Sequence, residues 1–205
     1  SSSAASDVYK RQAVYCNRLY EPATIRRDKQ IKAELTRQGI EYKSFAGHLL
    51  FEPWQVQTDS GTPYKVFTPF WNACQKIGLP SDITPAVRKL PPIVNTLRSA
   101  PITALELLPG IKWDAAFYTH WQPGEADAQK HLREFIKLRL ADYEHGRDYP
   151  AQSVTSRLSP HLHFGEISPR QIVYAIEQAQ ETNRSASFNK QAQAFLRELI
   201  WREFT

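Results

Sequence analysis

Residues 13–45, AVYCNRLYEPATIRRDKQIKAELTRQGIEYKSF, decide the fold class of this chain. Ala13-Val-Tyr-Cys-Asn17 is a short, mostly apolar run of the kind that forms a buried strand. Pro22 is placed to open a helix, where its missing N–H costs nothing, and Gly39 is placed to stop that helix after about Gln38. Ile40-Glu-Tyr-Lys-Ser-Phe45 then alternates like a second strand. Strand, helix and strand in succession predict one α/β crossover unit with parallel strands. A single unit is too small for a whole doubly wound sheet, so the pattern reads as the C-terminal part of a Rossmann-like α/β domain whose other strands would precede Val14.

Working outward, Ser1 to Gln12 (SSSAASDVYKRQ) is small and polar, then basic, without apolar period, and reads as a non-native or junction segment. On the other side, 51–66 is a loop carrying Pro53, Asp59, Gly61 and Pro63, and Thr68-Pro69 predicts a capped helix start running to about Lys76. Residues 78–122 hold Pro80, Pro85, Pro91, Pro92, Pro101 and Pro109, a density that predicts a long interdomain connection. Beyond Pro123 the period turns helical. Leu132, Phe135, Ile136 and Leu140 mark one helix, Pro169 to Gln180 a second and about Phe188 to Thr205 a third, with no strand signal among them. The expected layout is a partial α/β domain at 13–77, a linker at 78–122 and the beginning of an all-α domain at 123–205.

Composition sets the class. A chain of 205 residues that is 41% hydrophobic and 12% aromatic can bury a sizeable core. No apolar run approaches the ~20 residues of a membrane helix and no leader pattern precedes a cleavage site, so a soluble cytoplasmic protein without membrane association is expected. Cys16 and Cys74 are far apart and lack a partner cluster, which predicts reduced thiols and neither a disulfide framework nor a metal site. The net charge of +5 favours a polyanionic partner only weakly.

Two segments carry candidate chemistry. In the final run Glu198-Leu-Ile-Trp-Arg-Glu-Phe-Thr205, the residues Glu198, Trp201, Arg202 and Thr205 fall at i, i+3, i+4 and i+7 and share one helical stripe: an acid, an aromatic plate and a cation. The plain alternative for Glu198 is an i, i+4 ion pair with Arg202. Upstream, Thr155-Ser-Arg-Leu-Ser159-Pro160 places three hydroxyls and a guanidinium in one short loop. Such a loop offers donors to a phosphate, with a helix dipole behind it if a helix starts at Ser159-Pro160, or it is an ordinary helix cap.

The order of motifs decides between these readings. Tyr143-x-x-x-Arg147-Asp148-x-Pro150, then Thr155-Ser-Arg-Leu-Ser159, then Glu198-Leu-Ile-Trp-Arg-Glu-Phe204 resembles the DNA photolyase and cryptochrome family, on the side of class I-like cyclobutane pyrimidine dimer photolyases. Tyr64-Lys-Val-Phe-Thr-Pro-Phe70 and Trp121 with Gly124-Glu125 extend the resemblance over about 13–205. It implies an α/β antenna domain followed by a helical FAD-binding domain, and light-driven repair of pyrimidine dimers by electron transfer from reduced FAD. Residues facing the flavin ring and the adenine would lie beyond Thr205, so this segment alone is expected neither to hold FAD tightly nor to repair DNA.

By resemblance, Tyr143, Thr155, Ser156, Arg157, Leu158 and Ser159 would hold the phosphate and ribityl part of FAD. Phe195 stands where the family usually carries a tryptophan beside the flavin, and Arg202 would sit where flavin and substrate meet. Arg147 would lie at the DNA surface. Glu198 and Trp201 would face the flipped lesion, with Arg202 alongside; Trp201 suits stacking on an unstacked base, at about 1–3 kcal/mol per base. Glu198, kept neutral by an aromatic wall, would donate a hydrogen bond to the pyrimidine radical anion. The expected partner is UV-damaged DNA, bound by a monomer, and a cyclobutane dimer or a (6-4) product fits these residues alike. A cryptochrome-type photoreceptor shares the flavin motifs, but a sensor has no lesion for Glu198 and Trp201 to face. A non-catalytic nucleic-acid-binding module leaves Tyr143 and the Thr155 loop unexplained.

Other residues promise less. His161-x-His163 is the one histidine spacing that suggests a ligand pair; without a third donor nearby, surface or capping roles are expected. The stretch Tyr20-Glu-Pro-Ala-Thr-Ile-Arg-Arg-Asp28 resembles the family's antenna segment. There, Ala23 and Thr24 replace the amide and carboxylate of folate-binding members, which speaks against a folate antenna and leaves another antenna, or none, open.

Overall fold

The computed structural model describes residues 12–87, 89 and 100–204. The expected junction segment, except Gln12, lies outside them, as do Pro91, Pro92 and Thr205. Strand β1 (Ala13–Asn17), helix α1 (Pro22–Arg37) and strand β2 (Glu41–Phe45) follow the predicted order. The two strands form a small sheet. Glu41 N donates to Gln12 O at 3.0 Å and Arg18 N to Phe45 O at 2.8 Å, so both strands run the same way, as the intervening helix requires. Gly39 closes α1 at φ 72°, a left-handed conformation that glycine adopts without a Cβ penalty.

The described chain divides into two compact units. One contains residues up to Tyr15 together with Pro22–Lys43 and Thr84–Gln122. Its segment Thr84–Gln122 includes two short 3₁₀ turns, Ile102–Leu105 and Ala115–Thr119. The other unit contains Cys16–Glu21, Ser44–Ile83 and the chain from Pro123 onward. It holds helices α2 (Phe67–Ile77), α3 (Glu125–Leu138), α4 (Tyr143–Gly146), α5 (Ser159–His163), α6 (Pro169–Thr182) and α7 (Ala186–Phe204).

Helix α7 organises this second unit. Phe188, Ala192, Phe195, Leu196, Leu199 and Ile200 are its buried residues, and it packs against α2, α4, α6 and the 3₁₀ turn Leu140–Asp142. Ile200 is fully buried, and so are Phe135 of α3 and Ile172 and Ile176 of α6. Each such side chain contributes about 1.5–3 kcal/mol by leaving water. Helix α6 starts where its sequence says it should: Ser168 Oγ accepts from Gln171 N at 3.2 Å while Ser168 N donates to Gln171 Oε1 at 2.8 Å, with Pro169 as first residue.

Helix α2 corrects the expected cap. Thr68 was expected to cap it, but the helix begins one residue earlier at Phe67, and Val66, extended and without a side-chain hydrogen bond, is its cap. Phe67 is only 5% exposed, so the start is set by driving that ring into the core rather than by hydroxyl chemistry. Cys16 and Cys74 are not joined in a disulfide, and burial pushes the Cys74 thiol up to about 12, which leaves it unreactive. No helix among the described residues is long and apolar enough to cross a membrane.

Candidate functional site

The stripe Glu198, Trp201, Arg202 lies on the last two turns of α7, and each member is held from a different direction. Glu198 Oε1 accepts from Arg147 Nη1 at 2.5 Å, a contact 51 residues apart in sequence. Trp201 stacks on Phe67 with ring centroids 3.7 Å apart and planes 6° apart. Arg202 Nη1 donates to His48 O at 3.0 Å. The i, i+4 pairing of Glu198 with Arg202 is therefore not the arrangement made: Glu198 meets Arg147 outside the helix, and Arg202 reaches the His48 carbonyl while lying 3.8 Å from Glu203 Oε1. The expected role of Glu198 as donor to a substrate needs a proton on its carboxyl, whereas the contact seen here uses Oε1 as the acceptor of an Arg147 N–H.

Tyr143 and Arg147 come from α4 and its first following residue. Tyr143 is 7% exposed, set edge-on to Phe195 (centroids 5.3 Å, 89°) and to Phe135 (5.7 Å, 87°). Its ring supports the Arg147 guanidinium, whose carbon lies 5.7 Å from the ring centre. Burial raises the Tyr143 hydroxyl above its ordinary value. The hydrogen bond from Arg147 to Glu198 raises the guanidinium further still, so Arg147 is a permanent cation. Gly146 is required between them, because a Cβ there would meet Val154 Cγ1, Val154 Cγ2 and Gln152 Oε1 at 2.8 Å. Glu144, Arg147, Lys190, Arg197 and Glu198 line an open cleft of about 340 Å³ together with Trp71 and neighbouring polar residues.

The Thr155–Ser159 loop does not line that cleft. Thr155, Arg157 and Ser159 are exposed, Ser156 is half-buried and Leu158 is 1% exposed, so one apolar anchor holds a loop that is otherwise largely in solvent. Arg157 is left-handed (φ 56°) and Leu158 right-handed helical (φ −88°, ψ −4°). Two successive residues of opposite hand can turn their N–H groups towards one anion. Leu158 N donates only a 3.4 Å contact to Ser156 Oγ. The donor set thus fits a phosphate, which is what FAD would present. The helix behind the loop is the five-residue α5, a single turn, so the expected dipole contribution is small.

Several residues were not legible as site components. Phe67 underlies Trp201, and the Arg197 guanidinium carbon lies 5.5 Å from the Phe67 ring centre. Arg197 precedes Trp201 by four, a spacing that flags a shared face, but nothing local points to Phe67. Glu203 was unremarked: its side chain is 2% exposed and its Oε2 accepts from Leu50 N at 2.8 Å and Phe51 N at 3.2 Å. Burial pushes this carboxyl up to about 7 against the pull of those two N–H groups. His161, expected at the surface or at a cap, is 1% exposed and buried against Asp127, His131 and Glu166. The spacing that would have found this cluster is Asp127-x-x-x-His131, one helical turn on α3.

The DNA photolyase family profile matches residues 5–91. A deoxyribodipyrimidine photo-lyase of Agrobacterium fabrum is 38% identical over 192 residues, which is 93% of this chain and 39% of the relative. Cryptochrome-2 of Arabidopsis thaliana is 33% identical over 201 residues, covering 94% of this chain and 33% of the relative. Among solved structures, a bacterial class III photolyase from Agrobacterium tumefaciens superposes with a TM-score of 0.79 at 35% identity, covering 98% of this chain and 41% of that one. The chain therefore spans well under half the length of these relatives.

Proposed function

Because the chain belongs to the DNA photolyase and cryptochrome family, we propose that it is part of a light-driven, FAD-dependent enzyme that repairs cyclobutane pyrimidine dimers in DNA. The observation that carries this reading is the Arg147–Glu198 pair, which joins the turn after Tyr143 to the acid of the α7 stripe and lines one open cleft. Thr155, Ser156, Arg157, Leu158 and Ser159 would hold the phosphate side of FAD through their hydroxyls and the opposed-hand N–H groups of the loop. Tyr143 and Phe195 would supply an apolar wall. When bound and reduced, FAD supplies the electron that light delivers to the dimer.

The chain's own residues prepare the substrate. Arg147 would meet a backbone phosphate, and in doing so release Glu198 from its ion pair; Glu198, once it takes a proton from solvent, would be able to donate a hydrogen bond to a pyrimidine carbonyl. Trp201, 38% exposed and seated on Phe67, would offer a rigid face to a flipped base. Arg202, tied to the His48 carbonyl, would hold the boundary between cofactor and lesion. UV-damaged DNA is the proposed partner, taken up by a monomer.

The test uses the complete protein carrying this chain, loaded with reduced flavin and mixed with dimer-containing duplex, under blue light and in darkness. Dimers should disappear only in the light. Repair in darkness, or no repair although flavin and DNA are both bound, would sink the reading. The similarity to a plant cryptochrome favours a second reading, a photoreceptor; it would show a light response of the flavin with no preference for damaged over undamaged duplex.

A further inference from the structure

We propose that Asp127, His131 and His161 form a binding site for a divalent transition-metal ion of the zinc class, separate from the cleft of α7. The three residues each present one ligand atom, and these atoms lie within 4.8 Å of one another. Asp127 and His131 stand one turn apart on α3, and His161 comes from α5. Asp127 Oδ2 is 3.6 Å from His161 Nε2 and 3.8 Å from His131 Nε2. Those separations are too long for hydrogen bonds. They suit two donors sharing an ion, since ligands at ~2.0–2.1 Å in a tetrahedral site lie roughly 3.4 Å apart.

The hydrogen bonding of His161 points the same way. Its Nδ1 is 2.6 Å from Glu166 Oε2, so with a carboxylate accepting there the proton belongs on Nδ1 and Nε2 carries the bare lone pair. His161 Nε2 is buried without a hydrogen-bond partner and faces Asp127 and His131. Leaving such an atom unpaired and buried is costly, and a metal bond removes that cost. A carboxylate behind an imidazole whose other nitrogen faces an ion is the usual outer support of a zinc-binding histidine. Two neutral imidazoles and one carboxylate favour a zinc-class ion over calcium or magnesium, which prefer oxygen ligands. The ion would tie α3 to α5 with water as a fourth ligand.

The experiment strips the complete protein with a chelator and titrates Zn2+ by calorimetry, with Co2+ absorption as a second reading. The expected result is one equivalent of Zn2+, visible bands typical of tetrahedral Co2+, and a rise in melting temperature with metal. His131→Ala and Asp127→Ala should each abolish all three, while circular dichroism shows the metal-free variants folded. Glu166→Gln should weaken binding roughly 10- to 100-fold. His145→Ala, on an exposed histidine, should change nothing. Zn2+ binding that survives both His131→Ala and Asp127→Ala overturns the site. So does a wild-type protein that neither binds Zn2+ nor is stabilised by it.

Discussion

Trp201 lies flat on Phe67, centroids 3.7 Å apart and planes 6° apart, across 134 positions of sequence. Helix α2 thus delivers the floor on which the last turn of α7 rests its largest exposed side chain. Phe67 is buried and Trp201 is 38% exposed, so one indole face is committed to the protein and at most one is left for a ligand. Phe204 closes the arrangement edge-on to both rings, at 5.8 Å from Phe67 and 5.7 Å from Trp201.

Replacing Trp201 by Ala should weaken binding of dimer-containing DNA by about 1–3 kcal/mol, the worth of one base stacked on an aromatic plate. Unfolding stability should fall too, by roughly 0.5–1.5 kcal/mol for the lost ring pair plus the area it covers. Titration of a fluorescent duplex beside a urea melt separates the two. Unchanged DNA affinity with reduced stability would make Trp201 a purely structural residue.

Arg147→Ala should lower DNA affinity and reduce the salt slope of binding by about 1, as expected for one lost phosphate contact. Glu198→Ala should do the opposite in the binding assay, since it frees the Arg147 guanidinium, yet lower repair per absorbed photon without loss of flavin. Their coupling in a double-mutant cycle on stability should be small, about 0.2–1 kcal/mol, because both side chains are about one-third exposed. Parallel losses of DNA affinity in both single variants would contradict the exchange of partners.

Glu203 should make stability depend on pH. Its folded form holds a proton up to about 7, whereas an ordinary carboxyl loses it near 4.5. The folded state therefore binds the extra proton between those values, so this contribution is fully present below about 4.5 and is lost as pH rises to about 7. At about 1.4 kcal/mol per unit the total is about 3 kcal/mol. Urea melts across that range should show the slope in the parent protein and its loss in Glu203→Gln; equal slopes would assign the titration elsewhere.

Gly146→Ala should destabilise the second unit by about 1–3 kcal/mol, because the new methyl meets both Val154 methyls and Gln152 Oε1 at 2.8 Å. The strain falls between Tyr143 and Arg147, so DNA binding should weaken along with the melting temperature. A thermal melt indistinguishable from the parent would show that the 152–154 turn can yield.

Much of the fold is local and was legible. The crossover unit was written in the period of 13–45, α6 in the helical pattern from Pro169, and the helical character of 123–204 in its apolar spacing. These features depend on neighbours within a turn or a strand, which is the range over which backbone preferences act. The start of α2 was misjudged because a buried phenylalanine outweighed a hydroxyl cap, a decision made by the core and not by residues 66–69.

What the sequence by itself determined is the family, because ordered motifs such as Tyr143–Arg147, Thr155–Ser159 and Glu198–Arg202 are carried by residue type and spacing alone. What only the tertiary structure decided is who each side chain faces: Glu198 meets Arg147, Trp201 rests on Phe67, Arg202 reaches the His48 carbonyl and His161 turns inward to Asp127 and His131. Such partners lie 30 to more than 150 positions apart. Helical period fixes which residues share a face, but packing of one helix on another selects what that face touches, and it does so through the burial of Phe67, Phe135, Phe195 and Ile200.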